Sequence, residues 1–275
     1  MSPEPSNYPR TLAIFGATGR TGGESLKSIL ANPSNPFHLK IFVRSRAKLI
    51  AAFPQFKTDP NVQIFEGQVT DLDRVKACLD GADTVICALG ENDNKPTVRV
   101  LQDATRTIVA ALKQLRDEAQ AWARPRFLLL SSATWNKRFD EQSPALVSWL
   151  IKNAFYYPYA DLLKSHEMLQ ADPGLVKLLL VQPPAIIEEE ASGHTISAES
   201  VGLAVSYADL GAAFAELAVE EAYKDIGAVG VTSGLAKEGF SRYGSEILYR
   251  VVRGLMASYL PGFWAINGAV NKIIG

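Results

Sequence analysis

The chain has 275 residues, 47% of them hydrophobic, and a formal net charge of -1. That suits one large α/β domain, or a core domain with a small appended region, and it allows a sizeable core to be buried. A charge so close to zero argues against nucleic acid or an acidic macromolecule as the main ligand.

Residues 1–10 contain three prolines, two serines and an asparagine. They read as a flexible tail and not as an apolar targeting segment. Leu12 to Phe15 is a short apolar run ending at a glycine turn, which predicts a buried first strand. A helix from Glu24 to Leu30 follows and stops near Asn32-Pro33. Further strands are predicted at His38–Val43, Val62–Phe65, Thr84–Leu89, Phe127–Leu130 and Leu178–Val181. Helical stretches separate them at about Asp71–Leu79, Thr97–Ala119 and Pro144–Gln170. Strands alternating with helices imply βαβ units. Right-handed crossovers then give a doubly wound parallel sheet with helices on both faces. The expected domains are the tail, a dinucleotide-binding core over 11–184 and a small substrate-side region over 185–275, with the last two packed as one unit. The two cysteines, Cys78 and Cys87, fall in a helix and a strand, so buried free thiols in a reducing compartment, the cytoplasm, are expected.

Gly16, Gly19 and Gly22 lie between the first strand and its helix, in Gly16-Ala17-Thr18-Gly19-Arg20-Thr21-Gly22. The first permits a tight turn, the second lets a pyrophosphate approach the backbone, and the third lets helix and strand pack closely. The helix N-terminus adds free N–H groups for the phosphates. The strand–turn–helix setting makes this spacing specific for a dinucleotide. An acidic residue ending the second strand would favour NAD. Here that strand ends Val43-Arg44-Ser45-Arg46. The planar fork of Arg44, assisted by Arg46 and by Arg20 in the turn, suits the extra 2′-phosphate of NADP(H). Asp71 can hold the adenine amino group, cap the following helix, or do both.

The glycine turn, Val43-Arg44-Ser45, Ala88-Leu89-Gly90 and Ser131-Ser132-Ala133 together resemble the atypical short-chain dehydrogenases/reductases. That Rossmann-fold group includes the NmrA-like and the biliverdin reductase B/flavin reductase types. Tyr156-Tyr157-Pro158-Tyr159-Ala160-Asp161, Ile196 to Ser200 and Ser206 to Gly211 look like a fungal branch within it. That branch contains averufin-oxidase-like proteins of aromatic polyketide pathways. The resemblance implies an NADPH-dependent reductase acting on a polycyclic aromatic quinone, enone or ketone. It implies that Ala88, Leu89 and Gly90 line the cofactor, and that Ser131 and Ser132 bring a hydroxyl near the nicotinamide. Lys164, followed by Glu167, would hold the nicotinamide ribose.

The pattern breaks at one place. The group's usual tyrosine lies one turn before the lysine, where this chain has Ala160. Tyr159 is one residue earlier and on a regular helix points away from Lys164. Pro158 places a helix start there, where looser geometry can still bring Tyr159 to the site. Tyr156 and Tyr157 are further candidates, and all three can equally form an aromatic cluster beneath the substrate. Lys164 has a surface ion pair with Asp161 as its alternative. Without the usual tyrosine, a redox-sensing NmrA-like binding protein and a non-redox isomerase, dehydratase or cyclase stand beside the reductase. His194, in Gly193-His194-Thr195, is expected on a loop over the substrate, as a second proton donor or a bland polar residue. Glu188-Glu189-Glu190 reads as a solvated loop, and His38 and His166 read as structural. No Cys, His and carboxylate cluster has metal-ligand spacing, so no metal is expected. Leu255 to Val270 carries no charge but falls short of the about 20 residues of a spanning helix and is broken by Pro261-Gly262 and Asn267-Gly268. A pocket wall for an aromatic substrate and a homodimer interface are its favoured uses, ahead of a membrane surface.

Overall fold

The structure is a computed structural model that describes residues 10–32, 37–223, 225–234 and 240–274. Of the expected tail, residues 1–9 lie outside the described residues, and Arg10 already begins the first strand.

Ten strands form. They are β1 (Arg10–Phe15), β2 (Phe37–Val43), β3 (Val62–Glu66), β4 (Thr84–Cys87), β5 (Arg126–Leu130), β6 (Lys177–Gln182), β7 (Ala185–Ile187), β8 (His194–Ser197), β9 (Ala204–Ser206) and β10 (Ala228–Ser233). The helices are α1 (Arg20–Leu30), α2 (Arg46–Ala52), α3 (Leu72–Leu79), α4 (Val100–Glu118), α5 (Lys137–Asp140), α6 (Ala145–Ala154), α7 (Tyr156–Gln170), α8 (Tyr207–Val219), α9 (Phe240–Tyr259) and α10 (Phe263–Ile274). The main sheet runs β3-β2-β1-β4-β5-β6-β10-β8. Every pairing in it is parallel except that of β8 with β10 at the edge. β7 and β9 form a separate parallel pair.

The sheet is buried on both faces, so its strands read as continuous apolar runs. Leu12 and Ile14 of β1 join the core beneath α1 and α8, with Leu26, Leu210 and Phe214. Ala13 and Phe15 join the opposite core beneath α3, α4 and α7, with Val75, Ile108 and Leu162. The doubly wound α/β expectation therefore holds. Strand order reverses between β1 and β4, which places the ligand crevice of such sheets at the carboxyl ends of these two strands.

Three boundaries differ from the sequence expectations. β8 and β10 extend the main sheet, so the division after 184 falls inside it. β4 stops at Cys87, and Ala88 to Gly90 leave the strand as its carboxyl-end turn. The helix expected over Pro144–Gln170 is two helices, broken at Phe155 (φ -120, ψ 34). Pro158 explains the break. It has no N–H for the Ala154 carbonyl, and its ring would clash there in a continuous helix. Instead Pro158 sits in the first turn of α7. The Ala154 carbonyl meets α9, where a Cβ on Gly254 would collide with it. Asn94, in the β4–α4 loop, accepts the Tyr157 N–H at 2.9 Å and so serves the free first turn of α7.

Candidate active site

The glycine turn is built as its spacing predicts. Gly16 has φ +93, a conformation that L side chains rarely adopt. A Cβ there would lie 2.7 Å from the Ala88 carbonyl oxygen. A Cβ on Gly22 would strike the Gly16 carbonyl. A Cβ on Gly19 would meet only the Gly16 oxygen, at 3.2 Å, so this glycine leaves the outer side of the turn open. The Gly19 N–H donates to the Gly16 carbonyl at 2.9 Å and closes the turn. These are the features a pyrophosphate needs: backbone without side chains, ahead of the α1 N-terminus, at the sheet's reversal point. Ala17 and Thr21 are buried behind the turn, whereas Thr18 lies on its partly open rim.

Arg44 is exposed just past the end of β2, the adenosine side of such a crevice. Arg46 opens α2, and its backbone N–H donates to Glu66 Oε1 at 3.0 Å. Ser45 caps α2 by accepting from the Lys48 N–H. Arg20 is turned elsewhere. Its guanidinium pairs with Glu188 and lies 5.3 Å from the Tyr207 ring centroid. Asp71 is the N-cap of α3, accepting the Arg74 N–H at 3.2 Å. Ala88 and Leu89 are half-buried beside the turn, and the Ala88 N–H donates to the Phe15 carbonyl at 2.9 Å. Gly90 is exposed at the head of the next loop.

Beyond β5 the two serines diverge. Ser131 is buried and its Oγ lies 3.1 Å from His166 Nε2. Ser132 is half-buried, and its Oγ lies 3.2 Å from the Tyr159 hydroxyl. Thr134 Oγ1 lies 3.3 Å from the same hydroxyl. The Thr134 N–H also donates to Ser132 Oγ, at 3.4 Å, in a short serine-started turn. Trp135 meets the Tyr159 ring edge-on at 5.7 Å between centroids, and Phe155 flanks it at 6.0 Å. Thr134 and Trp135 were not singled out from the sequence. A Ser-Ser-Ala-Thr run after a buried strand is the signal that could have found the threonine.

Tyr159 and Lys164 are not brought together. α7 remains regular, five residues carry the chain one full turn and about 140° further, and the two side chains face apart. Lys164 is 62% exposed and pairs with Glu167 at 2.9 Å. Leu163, not a lysine, occupies the position one turn after Tyr159. Asp161, the expected surface partner of Lys164, is buried and serves α4 instead. Its two carboxylate oxygens accept the Leu101 and Gln102 N–H groups at 2.9 and 2.8 Å. A carboxylate is favoured at that positive helix end.

His194 also stands apart from the hydroxyl cluster. It opens strand β8 rather than riding a loop, and its Nε2 lies 2.9 Å from Glu216 Oε2 on α8. Antiparallel pairing with β10, register His194 with Ser233, fixes it there.

Burial raises the Tyr159 phenol above its ordinary range, and the hydrogen bonds with Ser132 and Thr134 only partly oppose this. The phenol is thus held protonated, suited to giving a proton rather than taking one. His166 lies on the same face of α7, two turns later. Burial pushes its imidazole down to about 4, so it is neutral behind Ser131. Cys78 and Cys87 are buried, and burial lifts both thiols to about 12, which removes them as nucleophiles.

His166 has a measurable consequence. The unfolded chain takes up its proton near pH 6.5 and the folded chain only near 4. Its contribution to stability is therefore complete above pH 6.5 and lost as pH falls toward 4. On the order of 3 kcal/mol is at stake. Denaturant titrations at a series of pH values should show this loss, and His166→Asn should flatten it.

Asn94 ties the C-terminal helices to the loop after β4. Its side-chain amide donates to the Gly254 carbonyl at 3.1 Å and to Ser258 Oγ at 2.6 Å, and its backbone carbonyl accepts from Trp264 Nε1 at 3.0 Å. Asp93 pairs with Lys95 and Arg253, both at 2.7 Å, and both cations lie over the Trp264 ring. The uncharged segment from 255 is thus two helices parted at Gly262 (φ +76), anchored beside the crevice. No helix among the described residues is long and apolar enough to cross a membrane.

A family described as NAD(P)H-binding matches residues 16–221. The chain belongs to this NAD(P)H-binding family. Over 261 residues it is 30% identical to the oxidoreductase ordB of Dothistroma septosporum, covering 94% of this chain and 95% of that one. It is 34% identical over 232 residues to averufin oxidase A of Aspergillus flavus, covering 81% and 82%. A short-chain dehydrogenase/reductase from Veillonella parvula in complex with NADP shares the fold. Its TM-score is 0.64 at 15% identity, over 82% of this chain and 95% of that one. The protein is an oxidoreductase with a nicotinamide dinucleotide cofactor.

Proposed function

We propose that the protein is an NADPH-dependent reductase of a polycyclic aromatic quinone, enone or ketone of the polyketide type. The pairing of Ser132 and Tyr159 carries this reading. It supplies two hydroxyls at the carboxyl end of β5, two strands from the glycine turn. Gly16 to Gly22 and the α1 N-terminus would hold the pyrophosphate, and Arg44 with Arg46 the 2′-phosphate. A reduced nicotinamide held there would supply the hydride that the acceptor takes up. Tyr159 gives its phenolic proton to the acceptor oxygen as that oxygen gains charge, and takes another from water. Ser132 and Thr134 orient the phenol and share its hydrogen bonds. Trp135 and Phe155 offer flat apolar surface to a planar substrate. The fungal relatives, among them three named averufin oxidase A, support the substrate class.

A redox-sensing protein without a proton donor is the weaker reading, because a tyrosine does reach the serine even though Ala160 fills the usual position. Mixing the protein with NADPH and an anthraquinone tests the proposal by cofactor consumption. Tight NADPH binding without turnover of any quinone or ketone would contradict it. Cofactor choice has its own test. Arg44→Ala should weaken NADPH binding about ten- to hundredfold and leave NADH binding unchanged. Equal losses for both cofactors would remove Arg44 from the 2′-phosphate.

A further inference from the structure

We propose that Glu188 gates the cofactor groove by competing with the cofactor's phosphates for Arg20. The inference rests on the nicotinamide-cofactor reading above. Arg20 is the first residue of α1 and follows the Gly16–Gly19 turn directly. A guanidinium at that place is within side-chain reach of a phosphate bound at the helix end, and its fork matches phosphate oxygens. Here it is engaged by a carboxylate from another part of the chain, just beyond β7.

Arg20 is backed by packed helices, whereas Glu188 lies outside regular secondary structure. Arg20 lies over Tyr207, the first residue of α8. α8 is pressed against α1 so closely that a Cβ on Gly211 would come within 2.5 Å of the Glu24 backbone. The Arg20–Tyr207 stack therefore belongs to a rigid helix pair. Glu188 instead stands on the segment between β7 and β8, with its side chain 60% exposed. Glu189 and Glu190 follow it in sequence, so the carboxylate on Arg20 heads an acidic run. A phosphate can replace Glu188 on Arg20 because the ion pair is exposed and weak, worth about a factor of two to five in an equilibrium.

Fluorescence titration of the full-length chain with NADPH tests this, using Glu188→Gln, Arg20→Lys, Arg20→Ala and the double variant Arg20→Ala/Glu188→Gln. Glu188→Gln should tighten NADPH about two- to fivefold. Arg20→Ala should weaken it, Arg20→Lys should weaken it less, and Glu188→Gln should bring no gain in the Arg20→Ala background. Glu190→Gln serves as the comparison for a general loss of negative charge and should bring little gain. Unchanged affinity in Glu188→Gln overturns the gate while leaving the cofactor reading intact, and so does the same gain from Glu190→Gln or in the Arg20→Ala background. Failure of the wild-type chain to bind NADPH or NADH overturns both.

Discussion

Gly16→Ala is expected to abolish cofactor binding and to destabilise the fold by roughly 2–5 kcal/mol. Two costs add at this position. The backbone has φ +93, which an alanine adopts only under strain. The new Cβ would also stand 2.7 Å from the Ala88 carbonyl oxygen, well inside contact distance. That carbonyl belongs to a stretch whose N–H is already bonded to Phe15, so it cannot retreat without disturbing the β1–β4 pairing. For a chain of this length the loss corresponds to a melting temperature lower by about 3–9 °C. Calorimetry with and without NADPH separates the effects, because the variant should melt lower and should gain nothing from cofactor. A variant that melts like the wild type would mean that the turn is not built as described.

Tyr159→Phe is expected to lower kcat by about 100- to 10,000-fold with little change in NADPH affinity. The substitution keeps the ring against Trp135 and Phe155 and removes only the hydroxyl that meets Ser132 and Thr134. Lys164→Ala should change turnover little, since its charge is spent on Glu167 at the surface. The reverse pattern, with a silent Tyr159→Phe and a dead Lys164→Ala, would restore the arrangement that the resemblance implied. Steady-state kinetics on both variants decides between them.

The cofactor half of the site was legible because its chemistry is local. Gly16, Gly19 and Gly22 sit within one turn, and β1 is apolar on both faces because both are buried. The catalytic half required long-range pairing. Ser132 and Tyr159 meet across 27 positions of sequence, and only the break at Phe155 aims Tyr159 at the serine. Lys164 stands one residue of helical register away from the position that would face Tyr159, and it is turned out to solvent. β10 was faint for a different reason. It contains Gly230, where a Cβ would press on Phe139 at 3.2 Å, and a glycine interrupts the pattern by which strands are recognised. β8 reads His-Thr-Ile-Ser, with a single apolar residue, so His194 looked like part of a loop. The clasp of Asn94 on Gly254 and Ser258 spans 160 residues or more and leaves no trace in local sequence.

A crystal structure of the NADP complex bears most directly on the central claim that this crevice presents a nicotinamide to the Ser132–Tyr159 pair. The account predicts the pyrophosphate over Gly16 to Gly22, the 2′-phosphate beside Arg44, and the nicotinamide ring against the Ser132 and Tyr159 hydroxyls. A nicotinamide lying away from both hydroxyls would contradict it.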